Sequence, residues 1–190
     1  MKRTSLAGLI CLALAPAFVL AAPSDSPTFT VQVPGADKLL VTVPTGWKHT
    51  TDRPPAGIPP TVDITSPGGA LLKITFMQDP KGQFTKSDEL DKLVTKANQQ
   101  YVANSIEKRV VLQRLAGSGG PGVYSVFTDP KLANAAKPPP GDFRFVSAGA
   151  RSFGRQVLIF SLLSNNKDND EYRQALDFLT NGIAVAPGGN

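Results

Sequence analysis

The spacing of apolar and polar positions changes along the chain in a way that marks out its elements. Residues 28–33 and 38–43 are rich in Val and Thr, which suit a half-buried pleated surface. Pro34-Gly35 marks the turn between them, and Pro44-Thr45-Gly46 ends the second strand just before Trp47. Residues 50–60 carry Pro54, Pro55, Pro59 and Pro60. Proline lacks a backbone N–H and blocks both ladder and helix, so this stretch is read as an extended loop. Residues 61–65 and 70–77 follow as a hairpin through Ser66-Pro67-Gly68-Gly69.

Helical spacing then takes over. Leu90, Leu93, Val94, Ala97, Tyr101 and Val102 recur on one face and predict a helix over 87–106. Thr85 with Asp88 matches a capping box, and Asp88, Glu89 and Asp91 suit the positive end of the helix. Residues 110–115 and 123–128 read as strands around the glycine-rich turn 117–122. Residues 129–142, ending in Pro138-Pro139-Pro140-Gly141, form a second proline-rich loop. A long hairpin, 143–152 and 156–164, turns through Phe153-Gly154. Residues 157–163 are apolar at nearly every position, which implies burial on both faces and a central place in the sheet. A closing helix starts at Asp168 or Asn169 and turns Tyr172, Ala175, Leu176, Leu179 and Ile183 inward. Hairpins with two separate helices argue for an α+β fold, a central antiparallel sheet flanked by helices, in one domain over 22–190.

The N-terminus changes the picture of where the chain works. Lys2 and Arg3 precede an uncharged run from Leu6 to Leu20, and Val19-Leu20-Ala21 supplies a cleavage signal, so residues 1–21 are expected to be a signal peptide. Pro23 disfavours cutting after Ala22. Roughly 15 apolar residues fall short of the ~20 that a membrane-spanning helix needs, so no anchor is expected after cleavage. Cys11 lies inside the apolar run, where it cannot be an acylation site, and the exported chain then has no cysteine to form a disulfide. The expected compartment is the periplasm. Of 190 residues, losing 21 leaves 169, and the net charge of +5 falls to +3 as Lys2 and Arg3 depart. The basic residues are scattered, which argues against nucleic acid and favours acidic partners.

Candidate chemistry is sparse. Gly117-Ser118-Gly119-Gly120-Pro121-Gly122 has the spacing of a dinucleotide loop, but a strand follows where the phosphate-binding loop needs a helix, so it is read as a hairpin turn. Asn166 to Glu171 alternates oxygen ligands like a calcium loop, yet lacks the glycine of the sharp turn and is better explained by helix capping. His49 is the sole histidine, which excludes zinc sites built from several His and Cys, and no nucleophile elbow occurs. No metal or cofactor is expected. Trp47, the sole tryptophan, is left open between a core residue and an exposed anchor for a partner.

Val43-Pro44-Thr45-Gly46-Trp47, followed by a hairpin, the helix 87–106, further strands and a closing helix with Ala175-Leu176-Asp177-Phe178-Leu179 and Ile183, resembles the PsbP-like superfamily over residues 28–184. The resemblance implies an α/β/α sandwich. It also implies a binding role without a common active site, as in photosystem accessory subunits, a nuclear-transport factor, secretion-effector chaperones and periplasmic DcrB-type proteins. DcrB-type members are usually lipid-anchored, and the acylation signal is missing here. The expected function is therefore a non-enzymatic periplasmic binding or accessory protein, with an immunity protein against a secreted toxin as one form of it. The alternative is a small periplasmic hydrolase with an unrecognised carboxylate site. The two proline-rich loops, with Trp47, Arg53, Lys131 and Lys137, are the expected contact surface for an acidic protein partner.

Overall fold

The computed structural model describes residues 26–52, 55, 58–115, 117 and 119–186. The expected signal segment 1–21 lies outside them, as does Arg53. Ten strands and two helices follow in order: β1 (Thr28–Gln32), β2 (Lys38–Thr42), β3 (Lys48–Asp52), β4 (Thr61–Thr65), β5 (Leu71–Gln78), α1 (Ser87–Val102), β6 (Gln113–Leu115), β7 (Gly122–Thr128), β8 (Phe145–Phe153), β9 (Gln156–Ser164), α2 (Asp170–Asn181) and β10 (Ile183–Val185). Seven strands form one sheet in the order β3-β4-β5-β9-β8-β7-β6, with every pair antiparallel. The apolar strand β9 occupies its middle, as its sequence requires.

Alternation along β8 shows which helix covers which face. Ala150 joins Leu90, Val94, Val123 and Val157 beneath α1, and the Ala148 carbonyl accepts a hydrogen bond from buried Asn98 of α1 at 2.9 Å. Ser147 and Arg151, on the other face, touch α2. The helices therefore flank the sheet on opposite sides. Gly149, between the two faces' residues on β8, leaves no room for a side chain. A Cβ there would stand 2.3 Å from the Val123 carbonyl oxygen and 2.8 Å from the Phe160 ring.

The expected single sheet is in fact two. β1, β2 and β10 form a separate three-stranded sheet that shares the layer of α2. Gly46, at φ 81°, lets the chain fold back after β2, and the hairpin lays Val31, Val33, Leu39, Val41 and Val43 onto Val62, Ile64, Leu72, Ile74 and Phe76. Two strands went unrecognised. β3 falls partly in the stretch expected to be loop, because a polar KHTTD edge strand buries little; its charges also discourage edge-to-edge pairing. β10 holds Ile183, expected on the inward face of the closing helix; the helix stops at Asn181, and Ile183 pairs instead with Val41. The first helix ends at Val102, short of residue 106. Its capping box is also absent. Lys86 occupies the cap position, while Thr85 closes a one-turn 3-10 helix whose Gln83 and Phe84 N–H groups are held by Asp79 at 2.9 and 2.8 Å. At α2, by contrast, the cap falls on Asn169 rather than Asp168, the two starts the sequence left open: its side chain accepts from the Tyr172 N–H at 2.9 Å.

Candidate functional site

The expected contact surface does not assemble. Trp47 is 5% exposed, lying in the main core after its N–H bonds the Pro44 carbonyl, so it is not an exposed anchor. The two proline-rich loops lie at opposite ends of the large sheet. Residues 129–142 connect β7 to the start of β8, beside the end of β9, where Phe145 pairs with Ser164. Asp52, the last residue of β3, pairs with Thr61 at the other end, where β5 finishes at Gln78 opposite Gln156. A nine-residue strand such as β9 separates the ends by about 30 Å. Sequence gave no sign of this, because loops are placed by strand order, which is a tertiary property.

Loop 129–142 is tightly held. Arg144 turns inward beneath it, Nε donating to the Leu132 carbonyl at 3.0 Å and Nη2 to the Ala135 carbonyl. Asp129 accepts from the Lys131 N–H at 2.7 Å, and the Leu132 and Ala135 N–H groups close successive turns. Asn165 fastens the loop's far end, accepting from the Arg144 N–H at 2.8 Å and donating to the Asp142 carbonyl at 3.2 Å. Lys131 and Lys137 stand exposed on this frame. Lys167 lies 5.5 Å over the Phe145 ring at the same end.

At the other end is a group that sequence reasoning missed. Arg151 is 1% exposed, on β8, under the glycine-rich turn. Its Nη1 donates to the last carbonyls of α2, Leu179 at 2.5 Å and Thr180, where the helix dipole is negative. Its guanidinium lies 4.7 Å over the Phe153 ring. Nε and Nη2 have no hydrogen-bond partner among the described residues, and no carboxylate pairs with the charge there. Burial accordingly pulls its pKa below the ordinary arginine value. Each such orphaned buried N–H costs roughly 1–3 kcal/mol. Glycines explain how the turn comes so close: a Cβ at Gly117 or Gly119 would stand 3.0 or 2.7 Å from Nη2. Beyond the turn, Gly119, Phe153, Gly154, Thr180, Asn181, Ile183 and Val185 line a cleft of about 270 Å³.

The remaining candidates have local roles. His49 stacks on Phe29, ring centroids 4.1 Å apart and planes 5° from parallel. In the Asn166 to Glu171 segment, Asn169 caps α2, and the Glu171 carboxylate accepts from Ser66 Oγ at 2.9 Å and the Gly68 N–H at 2.6 Å. Among the described residues, no group of three or more His, Cys, Asp or Glu is placed to hold a metal ion.

No family model and no curated protein matches this chain. Among solved structures, it is similar to the solution structure of cyanobacterial PsbP (CyanoP) from Synechocystis sp. PCC 6803. The two share 13% identity with a TM-score of 0.46, covering 90% of this chain and 100% of that one. A likeness this distant does not establish membership, and no match speaks for the DcrB-type subgroup.

Proposed function

We propose that the chain is a non-enzymatic binding protein of the bacterial envelope, exported to the periplasm, which meets an acidic protein partner through loop 129–142. The observation behind this reading is the pinning of that loop by Arg144. Its Nε and Nη2 hydrogen bonds to two loop carbonyls fix a segment that would otherwise lose entropy on binding. Lys131 and Lys137 are thus presented on a prepared surface, free to pair with carboxylates. A toxin neutralised in the periplasm is the kind of partner an immunity protein would need, and its identity decides that narrower role.

Affinity capture from periplasm with the tagged exported protein supplies the partner. Lys131→Glu combined with Lys137→Glu should then weaken the complex about tenfold at low salt and less at high salt, because screening already suppresses the charge contribution. Arg144→Ala, which releases the loop, should weaken it at both salt concentrations. Unchanged affinity at low salt in a folded double variant would remove the loop from the interface.

A further inference from the structure

We propose that β1 is a dimerisation edge, along which a second copy of this chain lays its own β1 antiparallel and joins the two small sheets into one. Four strands lie at sheet edges among the described residues, β3 and β6 in the large sheet and β1 and β10 in the small one. A free edge presents a row of unpaired backbone groups, and proteins guard it with charge, proline or shortness. β6 and β10 are three residues long, and β6 also carries Arg114, paired with Asp91. β3 carries Lys48 and Asp52. Only β1 has none of these guards. Its five residues, Thr28 to Gln32, hold no charge, proline or glycine and are rich in strand-forming types.

The ladder shows which groups are free. The Val43 N–H bonds the Pro27 carbonyl at 2.9 Å, so by antiparallel alternation Phe29 and Val31 spend their backbone groups on Val41 and Leu39. Thr28, Thr30 and Gln32 turn theirs away from β2. No other described strand pairs with them, and all three residues are exposed. A two-fold axis at Thr30 sets Thr30 opposite Thr30, and Thr28 opposite Gln32 of the other copy. These are the residues with free N–H and C=O groups, so the strand complements itself through about six hydrogen bonds. The same axis sets half-buried Phe29 opposite Val31 of the other copy, which extends the apolar layer between the sheets. Charge on the strand beneath agrees. β1 and β3 run the same way: Phe29 stacks on His49 near their starts, and Val33, just past β1, lines one cavity with Pro59, just before the partner of Asp52. Lys48 of each copy is then turned toward Asp52 of the other, so the charges of β3 oppose a random partner and suit a second copy. This self-complementarity is what a two-fold interface requires.

The test uses the exported protein in sedimentation equilibrium, together with hydrogen exchange of single amides. The unaltered protein should pass from monomer to dimer with rising micromolar concentration. In the dimer the Thr28, Thr30 and Gln32 amides should exchange at least tenfold more slowly, while those of Phe29 and Val31 do not change. Thr30→Lys and Thr30→Glu each set like charges across the axis at an exposed position, and each should weaken the dimer at least tenfold. Mixing the two variants should restore it, which misfolded variants could not do. Thr30→Cys carries the only thiol of the exported chain and should form a disulfide-linked dimer with oxidised glutathione, since Cα atoms of such a pair lie about 5.5 Å apart. A protein that stays monomeric at millimolar concentration would overturn the proposal, and so would a dimer that both charged variants form as readily. Protection of the three amides in a monomer only when a captured partner is added would also overturn it, and would assign the edge to a foreign strand.

Discussion

Tyr172 shows how one side chain ties stability to pH. Its hydroxyl meets Ser147 Oγ at 2.7 Å across the interface of α2 and β8, and burial pushes its pKa up to about 12 from an ordinary 10.0. Below pH 10 both folded and unfolded chains carry the neutral phenol, and the full contribution is present. As pH rises from 10 through 12 the unfolded chain ionises first, so stability is lost in that window, by roughly 3 kcal/mol in total. Urea midpoints measured from pH 7 to 12 should be flat and then fall. Tyr172→Phe should lower the plateau by about 1 kcal/mol and flatten the fall. Some slope should survive, because burial raises the pKa of Tyr124 as well. A fall of the same steepness in the phenylalanine variant would assign the alkaline limb to other groups.

Among the elements, α2 joins the two layers. Tyr172, Ala175, Phe178 and Leu179 are buried, whereas Leu176 is only partly so. Helical spacing alone put Leu176 and Leu179 on the same inward face. The structure rotates the stripe so that Leu179 sits at its centre, at 0% exposure. Leu179→Ala should therefore cost about 2–5 kcal/mol in a urea titration and Leu176→Ala less than about 2. The reverse order would mean that the helix packs by a different face. Apolar periodicity exposed both helices and the strands that bury a face. It passed over β3 and β10, one polar and at an edge, the other three residues long, because their stability lies in pairing with partners distant in the chain.

For the whole molecule, the export reading rests on the first 21 residues, and it makes a direct demand. The protein recovered from periplasm should begin at Ala22, as N-terminal sequencing would show, and its melting should not respond to reductants because no thiol remains. A lipid-modified or membrane-pelleting product would refute it. Among the described residues no helix is long and apolar enough to cross a membrane.

Some of this was settled by the sequence alone. Apolar spacing and turn chemistry act between near neighbours, so they revealed the hairpins, the helices, the central place of β9 and, to within one residue, the start of α2 without knowledge of the fold. The closing helix was found in this way, and so was the α+β class. Only tertiary structure could decide the division into two sheets, the burial of Trp47 and the separation of the proline-rich loops, since these depend on which strands become neighbours. The same holds for Arg151. In the sequence it is one arginine between Ala150 and Ser152. It becomes an orphaned buried cation only when β8 brings it under a turn some thirty residues earlier and beside a helix end some thirty residues later, where water is excluded and no carboxylate among the described residues follows it in.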